Sequence, residues 1–178
     1  MEEDLVDRFV ADVKRLRPDI DPRLKAVSAR LLHLSDLVQR YYSGISERFD
    51  VSLSGLAVMT ALARGAPREL TLTEINRDIL VTSGGITFVV SQLEKQGLLT
   101  RRPHPNDGRA VLIRLTSRGR RLADRLIEAV ATADAAAFAH LGEADRRTTE
   151  RLLRRVQTGI ESAMTSDQSM QRASERHH

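Results

Sequence analysis

Between Thr82 and Gly97 the chain reads TSGGITFVVSQLEKQG, and from Pro103 it reads PHPNDGR. Ser83, Thr87, Ser91 and Gln92 in the first stretch offer hydroxyl and amide groups that can donate and accept hydrogen bonds. Arg101, Arg102 and Arg109 in and around the second offer guanidinium forks suited to phosphate oxygens and base edges. Such groups recognise a polar surface and do not break bonds. The acids are scattered over helical faces, and His33, His104 and His140 have no partner at ligand spacing. No catalytic residue, metal site or cofactor is therefore expected, and the absence of cysteine removes thiol nucleophiles, thiolate zinc sites and disulfides.

Charge points the same way. Net charge is only +4, yet residues 1–21 carry seven acids against four bases, whereas residues 76–121 carry nine bases against three acids. A basic segment inside a mildly charged chain implies a polyanionic partner there, or else a solvated surface. Arginine outnumbers lysine 25 to 3, which a GC-rich genome explains. No apolar run is long enough to span a bilayer and the N-terminus MEEDLVDRFV is acidic, so no membrane partner is expected and a cytoplasmic, nucleoid-associated protein is.

Several elements must position these groups. Leu5, Phe9, Val13 and Leu16 recur at helical spacing up to Arg17-Pro18. Asp21-Pro22 then opens a long helix with a stripe from Leu24 through Leu31, Leu34 and Val38 to Phe49. At 1.5 Å per residue it spans roughly 40 Å, longer than a small domain covers, and a second copy of the chain is the expected cover. Ser52 or Ser54 caps a helix stopped at Gly65-Ala66-Pro67, and Thr71-Leu72-Thr73-Glu74 fits a capping box for a short helix toward Leu80. Thr82 or Ser83 is the expected cap of the next helix. At about 100° per residue, Ile86, Val90, Leu93 and Gly97 face inward, Gly84, Phe88, Ser91 and Lys95 face outward, and Thr87 and Gln92 flank them.

Beyond Gly97 the apolar period falls from 3.6 to 2. Residues 98–102 and 110–116 read as strands, joined by an extended tip dense in turn residues. Helix, turn, helix, strand, basic loop and strand in succession make a winged helix-turn-helix, in which the second helix enters the DNA major groove. Double-stranded DNA is then the expected partner, contacted by Thr82, Ser83, Gly84, Thr87, Phe88, Ser91, Gln92, Arg101, Arg102, Asn106, Asp107 and Arg109. Arg109 suits a narrow minor groove, with Asp107 holding it by a paired hydrogen bond. Arg101, Arg102 and Arg114 are expected to meet phosphates. Phe88 either touches a thymine methyl, packs on a neighbour, or is simply exposed. The expected fold class is mainly α with a small β-hairpin (α+β). The expected division is N-terminal dimerisation helices (1–50), the winged lobe (51–116), C-terminal dimerisation helices (117–164) and a disordered tail (165–178), in which His177-His178 reads as a tag remnant.

The motifs LTLTEI, TSGGIT and LEKQGLLTRRPHPNDGRAVLIRLTSRG, with Asp107-x-Arg109, Leu115-Thr116 and Gly119, resemble the MarR family of bacterial transcriptional regulators over residues 24–156. The resemblance implies a homodimer with interlocked terminal helices, each subunit placing one winged helix on a palindromic operator. Leu24, Leu31, Leu141, Leu152, Val156 and Ile160 would fall in the dimer interface. It also implies a repressor released by a small aromatic or anionic effector, with His33, Leu34, Leu37, Leu56 and Met59 lining the effector pocket. Phe88 and Val89 depart from the family's more polar pattern, and Leu80 stands where it often has glycine. The urate-responsive branch has Trp, Asp and Arg where this chain has Val13, Ala57 and Val89, so urate is not the expected effector. A DNA-binding protein without an effector, and a winged helix turned to protein–protein contact, are the alternatives.

Overall fold

The computed structural model describes residues 3–79 and 85–175, with side chains up to residue 167. It comprises α1 (Leu5–Leu16), α2 (Pro22–Glu47), α3 (Leu53–Gly65), β1 (Leu70–Thr71), α4 (Leu72–Asp78), α5 (Ile86–Lys95), β2 (Leu99–His104), β3 (Asp107–Leu115), α6 (Ser117–Ala137) and α7 (Glu143–Glu175). The chain divides into two compact units, residues 1–131 and 132–178.

In the first unit, Asp4 and Asp7 form a reciprocal capping box on α1 and also receive Arg30 of α2 at 2.6 and 2.7 Å. The Arg30 hydrogen bond, with those from backbone N–H groups, holds the Asp4 carboxyl down to about 2. Asp21 caps α2, with Pro22 in its first turn. The helix closes at Glu47, so Phe49 leaves it and packs against the winged lobe, where the Arg125 guanidinium lies 5.1 Å from its ring centre. Ile45 and Ser46 are buried as well, which ties α2 to the lobe expected to begin at residue 51. Farther up α2, Leu24 is 72% exposed, and Leu34, Leu37, Val38 and Tyr41 are also exposed.

One core holds the lobe together. Val58, Met59 and Leu62 of α3, Leu70, Ile75 of α4, Val90 and Leu93 of α5, Leu99, Ile113 of β3 and Leu126 of α6 are all buried in a single cluster. Ser52 caps α3, and Thr71 with Glu74 closes the capping box on α4. The sheet has three antiparallel strands in the order β1-β3-β2. The sequence indicated only the hairpin, because β1 is two residues long and shows no alternation. It pairs Leu70 with Ile113 and Thr71 with Leu112.

In the second unit, α6 stops at Ala137, and a turn through Phe138 and Leu141 leads into α7. Phe138, Leu141, Leu153 and Gln157 line an open groove here. Leu152, Leu153, Ile160 and Met164 stand exposed along α7, while Leu141 and Val156 are half-buried. The tail expected to fray from Thr165 is helical to Glu175. No glycine or proline interrupts it, and the Thr165 and Ser166 hydroxyls donate to the carbonyls of Glu161 and Ser162. Among the described residues no helix is long and apolar enough to cross a membrane.

Candidate nucleic-acid interface

The helix proposed to read a partner is α5, and its apolar face fits the core as its periodicity predicts. Ile86, Val90 and Leu93 are buried, Val89 is half-buried against the same cluster, and Phe88 is 66% exposed on the opposite side. Thr87, Gln92 and Lys95 are exposed, and Ser91 is half-buried. Thr82, Ser83, Gly84 and the turn residue Leu80 lie outside the described residues. The expected cap is corrected, however: Gly85 occupies the N-cap position at φ 96°, with no side-chain hydrogen bond to the first turn. That left-handed backbone strongly favours glycine. Among the described residues no side chain accepts from the first amides of α5, while the Phe88 N–H donates to Gly85 O at 2.8 Å.

Gly97 is also corrected. It is exposed and lies just past the end of α5 at φ 71°. Its N–H donates to Glu94 O at 2.8 Å and that of Leu98 to Leu93 O at 2.9 Å, the paired bonds of a Schellman motif. The turn is then fastened to α6. Thr116 Oγ1 donates to Gly97 O at 2.9 Å and accepts the N–H of Gly119 at 3.0 Å, so one hydroxyl caps α6 and holds the exit of α5.

The wing is tighter than its sequence suggests. Strand pairing continues to His104↔Asp107, leaving only Pro105 and Asn106 as the turn, with an irregularity between Pro103 and His104. Pro103 fits because β2 is an edge strand. At the tip the Asn106 N–H donates to His104 Nδ1 at 3.2 Å. Asp107 Oδ1 accepts the backbone N–H of Arg109 at 3.0 Å, in place of the expected guanidinium pairing. Asp107 therefore shapes the turn and leaves the Arg109 guanidinium without a protein partner among the described residues. Asn106, Asp107 and Arg109 are all exposed.

The other arginines are engaged. Arg102 Nε donates to Glu69 Oε2 at 2.7 Å, and Arg114 Nε lies 3.5 Å from Glu69 Oε1. The Arg102 hydrogen bond, helped by the charge of Arg114, holds the Glu69 carboxyl below the usual carboxylate range. Arg101 turns to α5, its Nη2 donating to Ser91 Oγ at 2.6 Å and its Nε lying 3.0 Å from Glu94 Oε2. The expectation that these side chains stand ready for phosphates holds least well for Arg101, since the acids that engage them could not be paired from sequence spacing. Glu69 and Glu94 are the residues that sequence reasoning missed.

The expected effector-pocket residues occupy different environments. Leu56 and Met59 are packed into the core, Met59 with no exposure, because α3 packs against α2, α4, α5 and β3. Leu34 and Leu37 are exposed on α2, and His33 is half-buried there.

A buried-faced α5, a short preceding helix and a three-stranded wing carrying an unpaired tip arginine define a winged helix-turn-helix protein. Residues 49–110 match the MarR family model. The transcriptional regulator PecS of Dickeya dadantii is 28% identical over 124 residues, covering 69% of this chain and 75% of PecS. The PcaV transcriptional regulator of Streptomyces coelicolor is 28% identical, with a TM-score of 0.59 over 73% of this chain and 96% of PcaV. A mutant MarR of E. coli, solved with operator DNA, superposes with a TM-score of 0.64 at 23% identity, covering 81% of this chain and 96% of that one. Over residues 49–110, most of the winged lobe, the chain is thus similar to the MarR family, the resemblance its motifs carry.

Proposed function

We propose that the protein is a transcriptional regulator that binds a palindromic operator as a homodimer and acts as a repressor. The observation that carries this reading is the exposed face of α5 beside a wing tip whose Arg109 guanidinium no acid neutralises among the described residues. Thr87, Phe88 and Gln92 would face the major groove, the N-terminal amides of α5 a phosphate, and Arg109 the minor groove. The apolar residues left exposed on α2 and on α7 support a second copy as their cover, with Leu24, Leu31, Leu141, Leu152, Val156 and Ile160 in the interface.

Selection of duplexes from a random pool tests the reading. Two half-sites related by a dyad are the expected product, and a pool that never enriches, or that yields a single asymmetric site, contradicts it. Phe88→Ala should lower the preference for one thymine per half-site by about fivefold, roughly 1 kcal/mol, as expected for loss of a methyl contact. An unchanged base preference refutes that contact.

Release by a small aromatic or anionic effector belongs to the same proposal, with His33, Leu34 and Leu37 as the lining groups still reachable. A thermal-shift series with salicylate and related benzoates checks it. Stabilisation should follow the logarithm of ligand concentration. No shift at millimolar concentration, with DNA binding intact, leaves a regulator that works without such an effector.

A further inference from the structure

We propose that Arg101 is a positioning residue that fixes the recognition helix against the wing, and that it makes no phosphate contact. The inference rests on the DNA-binding reading above. It starts from the pleat. Arg101 pairs in register with Ile113, which is fully buried, whereas Arg102 pairs with Leu112 on the other face of the sheet. Directly paired residues of antiparallel strands project to the same side. The stem of Arg101 is thereby directed inward, toward α5, and its side chain is only 25% exposed.

Its head group closes a small network. Ser91 Oγ spends its single proton on Thr87 O at 2.9 Å, so it meets Arg101 as an acceptor, and the 2.6 Å contact satisfies both groups. Nε is shielded from solvent and lies 3.0 Å from Glu94 Oε2, off the line a hydrogen bond needs but within ion-pair range. Swinging Arg101 out to a phosphate would strip Ser91 of its donor and leave the Glu94 carboxylate unpaired on the DNA-facing helix. The Arg101–Glu94 pair carries no net charge and adds nothing to the attraction of a polyanion.

This arrangement gives α5 and the wing two ties. One is Thr116, between β3 and α6, which holds the exit of α5; the other is Arg101 of β2, which holds Ser91 and Glu94. Together they set the angle at which α5 and the tip arginine meet one duplex at the same time. Ser91 is correspondingly withdrawn from base reading, because its donor and an acceptor site are both occupied within the protein.

The test uses the full chain, the duplex that wild-type protein enriches from a random pool, and an unrelated duplex of equal length. Affinity is measured by fluorescence anisotropy between about 50 and 200 mM KCl, where each phosphate contact contributes about 0.9 to the salt slope. Arg101→Ala should weaken specific binding about tenfold or more, with the slope unchanged and a much smaller loss on the unrelated duplex from the unpaired Glu94. Arg101→Lys keeps the charge but lacks the fork, and should show the same loss. Glu94→Gln removes a negative charge from the DNA-facing helix, yet should also weaken specific binding. The double variant Arg101→Ala/Glu94→Gln should be no weaker than either single one. Should Arg101→Ala melt below the assay temperature, Ser91→Ala carries the same expectation with a smaller disturbance.

A slope reduced by about one for Arg101→Ala marks a phosphate contact and overturns the proposal. So do full rescue by lysine, tighter binding by Glu94→Gln, and additive losses in the double variant. Wild-type protein that binds neither duplex would instead defeat the DNA-binding reading itself.

Discussion

Arg109→Ala is expected to weaken binding to the selected duplex at least about tenfold, with the salt slope falling by about one per wing engaged. The size follows from the surroundings of the side chain. Arg101 and Arg102 each approach a carboxylate, so their charge is largely cancelled within the protein, whereas Arg109 is exposed near the start of β3, just past the two-residue turn. Asp107 satisfies only the backbone N–H of Arg109 and fixes the direction in which the chain leaves the turn. The loss should leave the fold untouched, since the residue is exposed. Anisotropy titrations beside circular dichroism melts check both halves: an unchanged affinity removes the wing from the interface, and a lowered melting temperature means the residue is structural.

Gly119→Ala is expected to destabilise the protein by about 3 kcal/mol or more, at the upper end for overpacking. A Cβ at this position would lie 1.8 Å from the carbonyl oxygen of Leu98 and 2.8 Å from its carbon. Both are backbone atoms, so relief requires moving α6 or the α5 exit. The same Leu98 carbonyl accepts the N–H of Thr116 at 3.0 Å, and Thr116 Oγ1 caps Gly119, so either movement breaks hydrogen bonds. Urea denaturation should show the midpoint falling with little change in slope. A loss below about 1 kcal/mol would mean that the approach of α6 to Leu98 relaxes easily. By contrast, a Cβ on Gly108 meets nothing within 4 Å, so Gly108→Ala is the natural control.

Much of this was legible in the sequence, and the reasons are local. Three helices announce themselves through caps, at Asp21-Pro22, Ser52 and Thr71-x-x-Glu74, and those of the lobe through apolar spacing that matches their buried faces. The outward position of Phe88 follows from the same wheel that buries Ile86 and Val90. What stayed hidden depends on pairs distant in sequence. Glu69 meets Arg102 across 33 residues, and nothing in the local pattern joins them. β1 is defined by its partner strand rather than by its own two residues. The start of α5 was misplaced because Thr82 and Ser83 are good capping residues, while the chain uses the left-handed backbone of Gly85. The resemblance placed Met59 in an effector pocket, but a family pattern does not separate a cavity wall from a closed core, and here the side chain is fully buried.

The salt dependence of wild-type binding to its selected duplex tests the central claim most directly. If α5, its N-terminal amides and the Arg109 wing form a DNA interface, the logarithm of the association constant should fall linearly with the logarithm of salt concentration. The slope should correspond to several phosphate contacts at about 0.9 each, and the unrelated duplex should bind at least about a thousandfold more weakly at physiological salt. A salt-independent association, or equal affinity for both duplexes, would contradict the account and turn the exposed face of Phe88 toward a protein partner instead.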